Sequence, residues 1–155
     1  MNGKSLQKMQ EAFIIDDFET MKVLVANGAD VNSVDARDGS PILQRAVIQN
    51  EKSMIDFLIE THVDLNKSDR REMTALHYAA MYKFIDIAEA LIKAGGLLDI
   101  KDQSGNTPLT YAISDRRDGY LEMAKLLIDH GASTDIKTND GRSLFEFYGI
   151  SLKDI

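Results

Sequence analysis

A 33-residue repetition constrains this chain more than any other feature. The stretch Met73-Thr74-Ala75-Leu76-His77-Tyr78-Ala79-Ala80 opens an apolar helical run. Weaker copies occur at Ser40-Pro41-Ile42-Leu43-Gln44-Arg45-Ala46-Val47 and at Thr107-Pro108-Leu109-Thr110-Tyr111-Ala112-Ile113. Leu43, Leu76 and Leu109 stand 33 residues apart, and so do Ala46, Ala79 and Ala112. One such unit cannot bury its apolar face alone, so a period of this length implies an array of units stacked on their neighbours. Thr74 offers an N-cap hydroxyl, and the small Ala79 and Ala80 let neighbouring helices approach closely.

Taken in order, residues 1–34 read as a first helical pair. Leu6, Met9, Phe13 and Ile14 form a helical apolar stripe, Asp16-Asp17 marks the turn, and Met21, Val23, Leu24 and Val25 carry the second helix to Gly28. Residues 35–68 form the second unit, with a turn at Asp38-Gly39, a helix capped by Ser40 and Pro41 in its first turn. Asp35 lies eight residues before Leu43, whereas Asp69 lies seven before Leu76, so one extra residue sits in the turn or at the helix start. Residues 69–101 are the most regular unit. Residues 102–137 carry three inserted residues within Ser114-Asp115-Arg116-Arg117-Asp118-Gly119, between the two helices. Residues 138–155 open with the turn Asn139-Asp140-Gly141-Arg142 and form a truncated cap, since a terminal unit must cover the last apolar face.

These residues resemble the ankyrin repeat family, whose signature is a Thr-Pro-Leu-His-x-Ala-Ala helix followed by a Gly-Ala-Asp-Val-Asn turn. Thr107-Pro108-Leu109, Thr74-x-Leu76-His77-x-Ala79-Ala80 and Gly28-Ala29-Asp30-Val31-Asn32 carry the match, with Gly131-Ala132 in part. The turns at Gly28, His62, Gly95 and Gly131 recur at intervals of 34, 33 and 36, as the two insertions require. The resemblance implies a single all-α solenoid of helix-turn-helix units with short β-hairpin-like turns, four to five repeats including the caps. His62, Arg45 and Lys83 stand where the family often has glycine or a small residue, so local irregularity is expected in the second and third units. His62 needs either a left-handed backbone or a changed turn.

Catalysis finds little support. In the resembled family the histidine at position 77 is structural, bonding near the turn of its own or the next unit. His62, His77 and His130 lie in three different units, at no metal-ligand spacing. Asp16, Asp17, Asp38 and Asp140 sit in turns, where Asp bonds the local backbone. Phosphate-binding loops, nucleophile elbows and zinc-protease motifs are absent. There is no cysteine, which excludes disulfides and thiol chemistry. The expectation is therefore a non-enzyme with neither cofactor nor metal. The net charge of −7 disfavours nucleic acid and anionic membranes and favours basic partners. A polar start without an apolar core, and no run of 18 apolar residues, lead to the expectation of a soluble cytoplasmic protein.

The expected activity is protein binding on the face formed by turn tips and first helices, the usual contact surface of the resembled family. The turns contribute Arg37, Asp38, Ser40, Arg70, Arg71, Met73, Gln103, Ser104 and Asn106, together with Asn139 and Asp140. The helices contribute Ile48, Gln49, Met81, Tyr82 and Ser114. Met73, Met81, Tyr82 and Ile48 are expected to be exposed beside the arginines, a composition suited to an interface. The insertion residues Asp115, Arg116 and Arg117 form the other candidate, since insertions in repeats map to loops on one face. The reading favours a monomer that occupies and inhibits a partner, for instance an immunity protein masking a basic toxin. A cytosolic adaptor is the alternative, and a secreted effector a lesser one.

Overall fold

A computed structural model describes residues 3–137, 143–151, 153 and 155. Among them nine helices occur in chain order: α1 (Gly3–Ile14), α2 (Phe18–Ala26), α3 (Ile42–Ile48), α4 (Lys52–Glu60), α5 (Ala75–Tyr82), α6 (Ile85–Lys93), α7 (Pro108–Ser114), α8 (Tyr120–Asp129) and α9 (Leu144–Tyr148). The helices pair as α1 with α2, α3 with α4, α5 with α6 and α7 with α8. First helices stack in the order α3, α5, α7, α9, and second helices pack α2 on α4 and α6 on α8. No strand is present among the described residues. The hairpin character of the turns shows as isolated bridges, Val34 with Pro41 and Lys137 with Ser143.

The repeating Leu and Ala positions build the core. Leu43, Leu76 and Leu109 are buried, as are Ala46, Ala79 and Ala112, and they form one apolar cluster with Met54, Leu58, Leu91 and Leu127 from the second helices. In the first unit the buried stripe is Met9, Ala12 and Phe13 on α1 and Met21 on α2. Leu6, Ile14 and Val23 face outward instead. A helix turns 100° per residue, so Ile14 next to Phe13 falls off the buried stripe.

Three series of left-handed residues punctuate the array. Between the helices of each pair stand Asp16, Asn50, Lys83 and Gly119, all at positive φ. After the second helices stand Gly28, His62, Gly95 and Gly131. In the hairpins stand Gly39, Glu72 and Gly105. His62 keeps the glycine conformation, with φ of 59°, so the turn is preserved and the residue bears the strain. The extra residue of the second unit lies in its hairpin. The Gly39 N–H bonds the carbonyl four residues back, at Asp35, whereas the Glu72 and Gly105 N–H groups bond three residues back, at Asp69 and Asp102.

The helix starts differ in one instructive way. Thr74 and Thr107 are N-caps with reciprocal capping boxes to His77 and Thr110. In the second unit Pro41, not Ser40, holds the N-cap position, and Ser40 is buried before it. Proline has no N–H to offer. Gln44 stands where His77 stands one unit later. Its amide nitrogen reaches the Met73 carbonyl at 2.5 Å, while its buried Oε1 finds no partner among the described residues.

Bonds between units explain the residues that depart from the family pattern. Arg45 reaches back to Asp16, with Nη2–Oδ1 of 2.6 Å, and to the Phe13 carbonyl at 3.2 Å. Lys83 reaches forward, its ammonium donating to the Ala80 carbonyl and, at 2.9 Å, to the Tyr111 carbonyl. Burial pushes the Lys83 amine below its ordinary value. Both residues therefore join units. A further ladder joins the turns after the second helices. Asn32, Asn66 and Asp99 accept through their side-chain oxygens from the N–H groups of Asp64, Leu97 and Ser133.

Candidate functional site

The hairpin turns owe their shape to an aspartate at each base. Asp69 accepts through Oδ1 from the N–H groups of Arg71 and Met73, and Asp102 from those of Ser104 and Asn106. In both units the second carboxylate oxygen accepts a 2.6 Å bond from a tyrosine nine residues on, Tyr78 and Tyr111. Burial and the neighbouring carboxylate push both phenols up to about 12, so they remain donors. Burial raises the Asp102 carboxyl, but the bonds from Tyr111 and the backbone outweigh it and leave the group below its ordinary value. The second unit has Arg45 at the tyrosine position, and there Arg37 takes the aspartate instead. Its Nη2 lies 2.6 Å from Asp35 Oδ2, holding the Asp35 carboxyl well below the usual range.

Between the second and third units these turns and first helices enclose a depression of about 530 Å³. Arg37, Asp38, Ser40, Ile48, Arg70, Arg71 and Tyr82, all expected on this face, line it together with Arg45, Asp69 and Tyr78. Arg70 lies across Gly39 and donates to the carbonyls of Ala36 and Arg37 at 3.1 and 2.8 Å. A Cβ on Gly39, whose φ is 75°, would stand 3.0 Å from Arg70 Cγ, so this position admits only glycine without displacement. Arg71 donates to the Tyr78 hydroxyl, which holds its guanidinium charged, and lies over the Tyr78 ring at 5.7 Å.

Tyr82 is 40% exposed and stacks on Phe84 at 5.5 Å between ring centres. It also lines a second depression of about 460 Å³ with Lys83, Arg117 and Asp118. The two stretches expected separately, the arginine-flanked helices and the insertion, thus meet at this ring. Within the insertion, Arg117 pairs with Asp115, and Arg116 donates to the Tyr148 carbonyl, tying the loop to α9.

The remaining expected residues are dispersed. Met73 is 1% exposed, which corrects its expected exposure: it precedes the N-cap and tucks beneath the hairpin whose carbonyl Gln44 holds. Met81 and Ile48 are half-buried against the core. Gln49 is exposed and donates to Asp16. Gln103 donates to the Arg70 carbonyl, Ser104 and Asn106 line a separate shallow depression, and Ser114 ends α7 in solvent. Asn139 and Asp140 lie outside the described residues. Arg45, Tyr78, Asp69, Phe84 and Lys83 escape the sequence reading of the site. The 33-residue spacing of Asp69–Tyr78 and Asp102–Tyr111 is the signal that points to two of them.

His77 lines neither of the depressions at Tyr82. It is buried, with Nδ1 accepting from its own Thr74 N–H at 3.0 Å and Nε2 3.2 Å from the Asn106 carbonyl of the next unit. That pattern requires the neutral ring with its proton on Nε2, and burial pushes its pKa below the ordinary value against the pull of the Asn106 bond. No cluster of metal-ligating side chains occurs among the described residues. None of the described helices is long and apolar enough to cross a membrane.

A family model described as ankyrin repeats (3 copies) matches residues 9–102 and 62–140. The chain belongs to the ankyrin repeat family. This ankyrin array is 34% identical over 116 residues to the E3 ubiquitin-protein ligase Ufd4 of Drosophila melanogaster, covering 74% of the chain and 4% of that protein. It is 30% identical over 146 residues to alpha-latroinsectotoxin-Lt1a of Latrodectus tredecimguttatus, covering 83% of the chain and 10% of the toxin. A putative ankyrin repeat protein of Rickettsia bellii matches at 29% over 143 residues, covering 85% of the chain and 40% of that protein. The ankyrin array thus spans less than half the length of each of these relatives. Ankyrin repeats are modules for protein–protein interaction, and that coarse role holds for this chain.

Proposed function

We propose that the ankyrin array binds its partner through the face of hairpin turns and first helices between the second and fourth units, and acts in the cytoplasm by occupying that partner. The observation that carries this reading is Tyr82, an exposed aromatic standing on the lip shared by two depressions. Exposed aromatics flanked by arginines are the composition of interface hot spots. Among the described residues, the groups with displaced pKa values are spent on caps, turns and bonds within or between units, which supports recognition over chemistry. The relatives fit this too: a ligase, a toxin and a bacterial repeat protein carry similar arrays inside proteins of unlike description.

The test is affinity capture with the tagged protein and a Tyr82→Ala/Arg71→Ala variant. The expected result is one stoichiometric partner that the variant loses while its helical circular dichroism is unchanged, and whose activity falls when wild-type protein is added. Rescue of growth from a co-expressed toxin would place the chain among immunity proteins. Capture undiminished by the variant moves the site away from Tyr82. A partner of unaltered activity that is held together with a second protein replaces inhibition by an adaptor role.

A further inference from the structure

The chain's overall charge argues for a basic partner, but the charges of the groove itself argue the opposite. Its depression between the second and third units is lined by four guanidinium groups, Arg37, Arg45, Arg70 and Arg71, against two carboxylates, Asp38 and Asp69, on a chain of net charge −7. The ion pairs here are oriented. Two of the carboxylates lie inward, with Asp35 and Asp69 only 1% and 5% exposed, while the side chains of their partners Arg37 and Arg71 are 51% and 65% exposed; Asp38, beside Arg45, is 52% exposed. At Arg37 and Arg71 a ligand approaching this face therefore meets guanidinium groups with the compensating charge behind them. Burial of the carboxylates also fixes the arginines in place, which lowers the entropy lost when a ligand binds. Ile48 and Tyr82, the latter stacked on Phe84, offer apolar surface in the same lining.

We infer that the occupant of this groove is an extended acidic segment of a protein, an inference that rests on the binding face proposed above. Arg37 and Arg71 hold equivalent places in adjacent units, each two residues past the aspartate at its hairpin base. Packed helices lie about 8–10 Å apart, and an extended chain advances about 3.3 Å per residue. Carboxylates roughly three residues apart along the segment therefore reach guanidinium groups on consecutive turns. An apolar residue between or beside them rests on Tyr82. Guanidinium groups favour carboxylates because an N–H···O bond between ionised partners is charge-assisted.

The experiment selects peptides from a random dodecapeptide library on the immobilised wild-type protein and measures the enriched sequences by fluorescence anisotropy. The expected sequences carry Asp or Glu at i and i+3 with a neighbouring apolar residue. Their affinity falls about tenfold in Arg71→Gln and further in Arg71→Glu, is held by Arg71→Lys to within a few fold, and drops as salt is raised. Circular dichroism of each variant excludes unfolding as the cause. Enriched peptides that are neutral or basic, or no enrichment, overturn the acidic segment and leave the face to be judged by Tyr82→Ala in the capture experiment. Equal competition by oligothymidylate also overturns it, since the groove then holds any polyanion. If peptides bind and neither Tyr82→Ala nor the Arg71 variants weaken them, both the segment and the face are wrong.

Discussion

His77 sits where two units meet, bonded to its own N-cap through Nδ1 and turned toward the next hairpin through Nε2. Its replacement by alanine leaves a buried N–H and a carbonyl without their partner, which costs about 2 kcal/mol and is read from urea unfolding. Its pKa also gives a pH signature. The ring titrates at 6.5 when unfolded and lower when folded, so the unfolded chain binds the proton first as pH falls. Stability is then flat above 6.5 and declines below it until the folded ring protonates. His77→Gln abolishes the slope that sets in below pH 6.5. One unit earlier, Pro41 lacks the N–H that Thr74 gives to His77, and the Gln44 oxygen goes without a partner. Gln44→His thus gains little alone and about 1 kcal/mol more in a Pro41→Thr background, which a double-mutant cycle of urea midpoints measures.

The helical pair is an element whose end is written by a single backbone conformation. His62 holds the left-handed place that Gly28, Gly95 and Gly131 hold in the other units, and its side chain is exposed. His62→Gly removes about 1 kcal/mol of strain and raises the melting temperature by roughly 2–4 °C, seen by calorimetry. The element scale is also where the sequence is most legible. The spacing of Leu43, Leu76 and Leu109 places the first helices α3, α5 and α7, because a core position must recur wherever a unit packs on the next. The hairpins are less legible. Met73 reads as an exposed interface residue because apolar periodicity carries no information outside a helix, and only the fold of the turn shows that it points inward. The reach of Arg45 to Asp16 spans 29 residues and obeys no period, so nothing in the pattern announces it. Tyr78 is the reverse case: its pairing with Asp69 repeats at Tyr111 and Asp102, and the repetition was there to be read.

Across the whole molecule, each unit contacts its neighbours and little else, so stability is a sum of unit terms and interface terms. At the last interface, among the described residues, α9 packs on α7, Leu144 and Phe145 join the core, and Arg116 from the insertion donates to the Tyr148 carbonyl. Arg116→Ala is expected to abolish amide-exchange protection in α9 while leaving α3 and α5 at their former rates, since opening of a terminal unit does not require opening of its distant neighbours. The ladder of Asn32, Asn66 and Asp99 has a sense of direction: the acceptor always lies in the earlier unit and the donor in the later one. Synthesis on a ribosome runs the same way. The side-chain oxygen that receives each turn's N–H is thus always synthesised before the turn it holds.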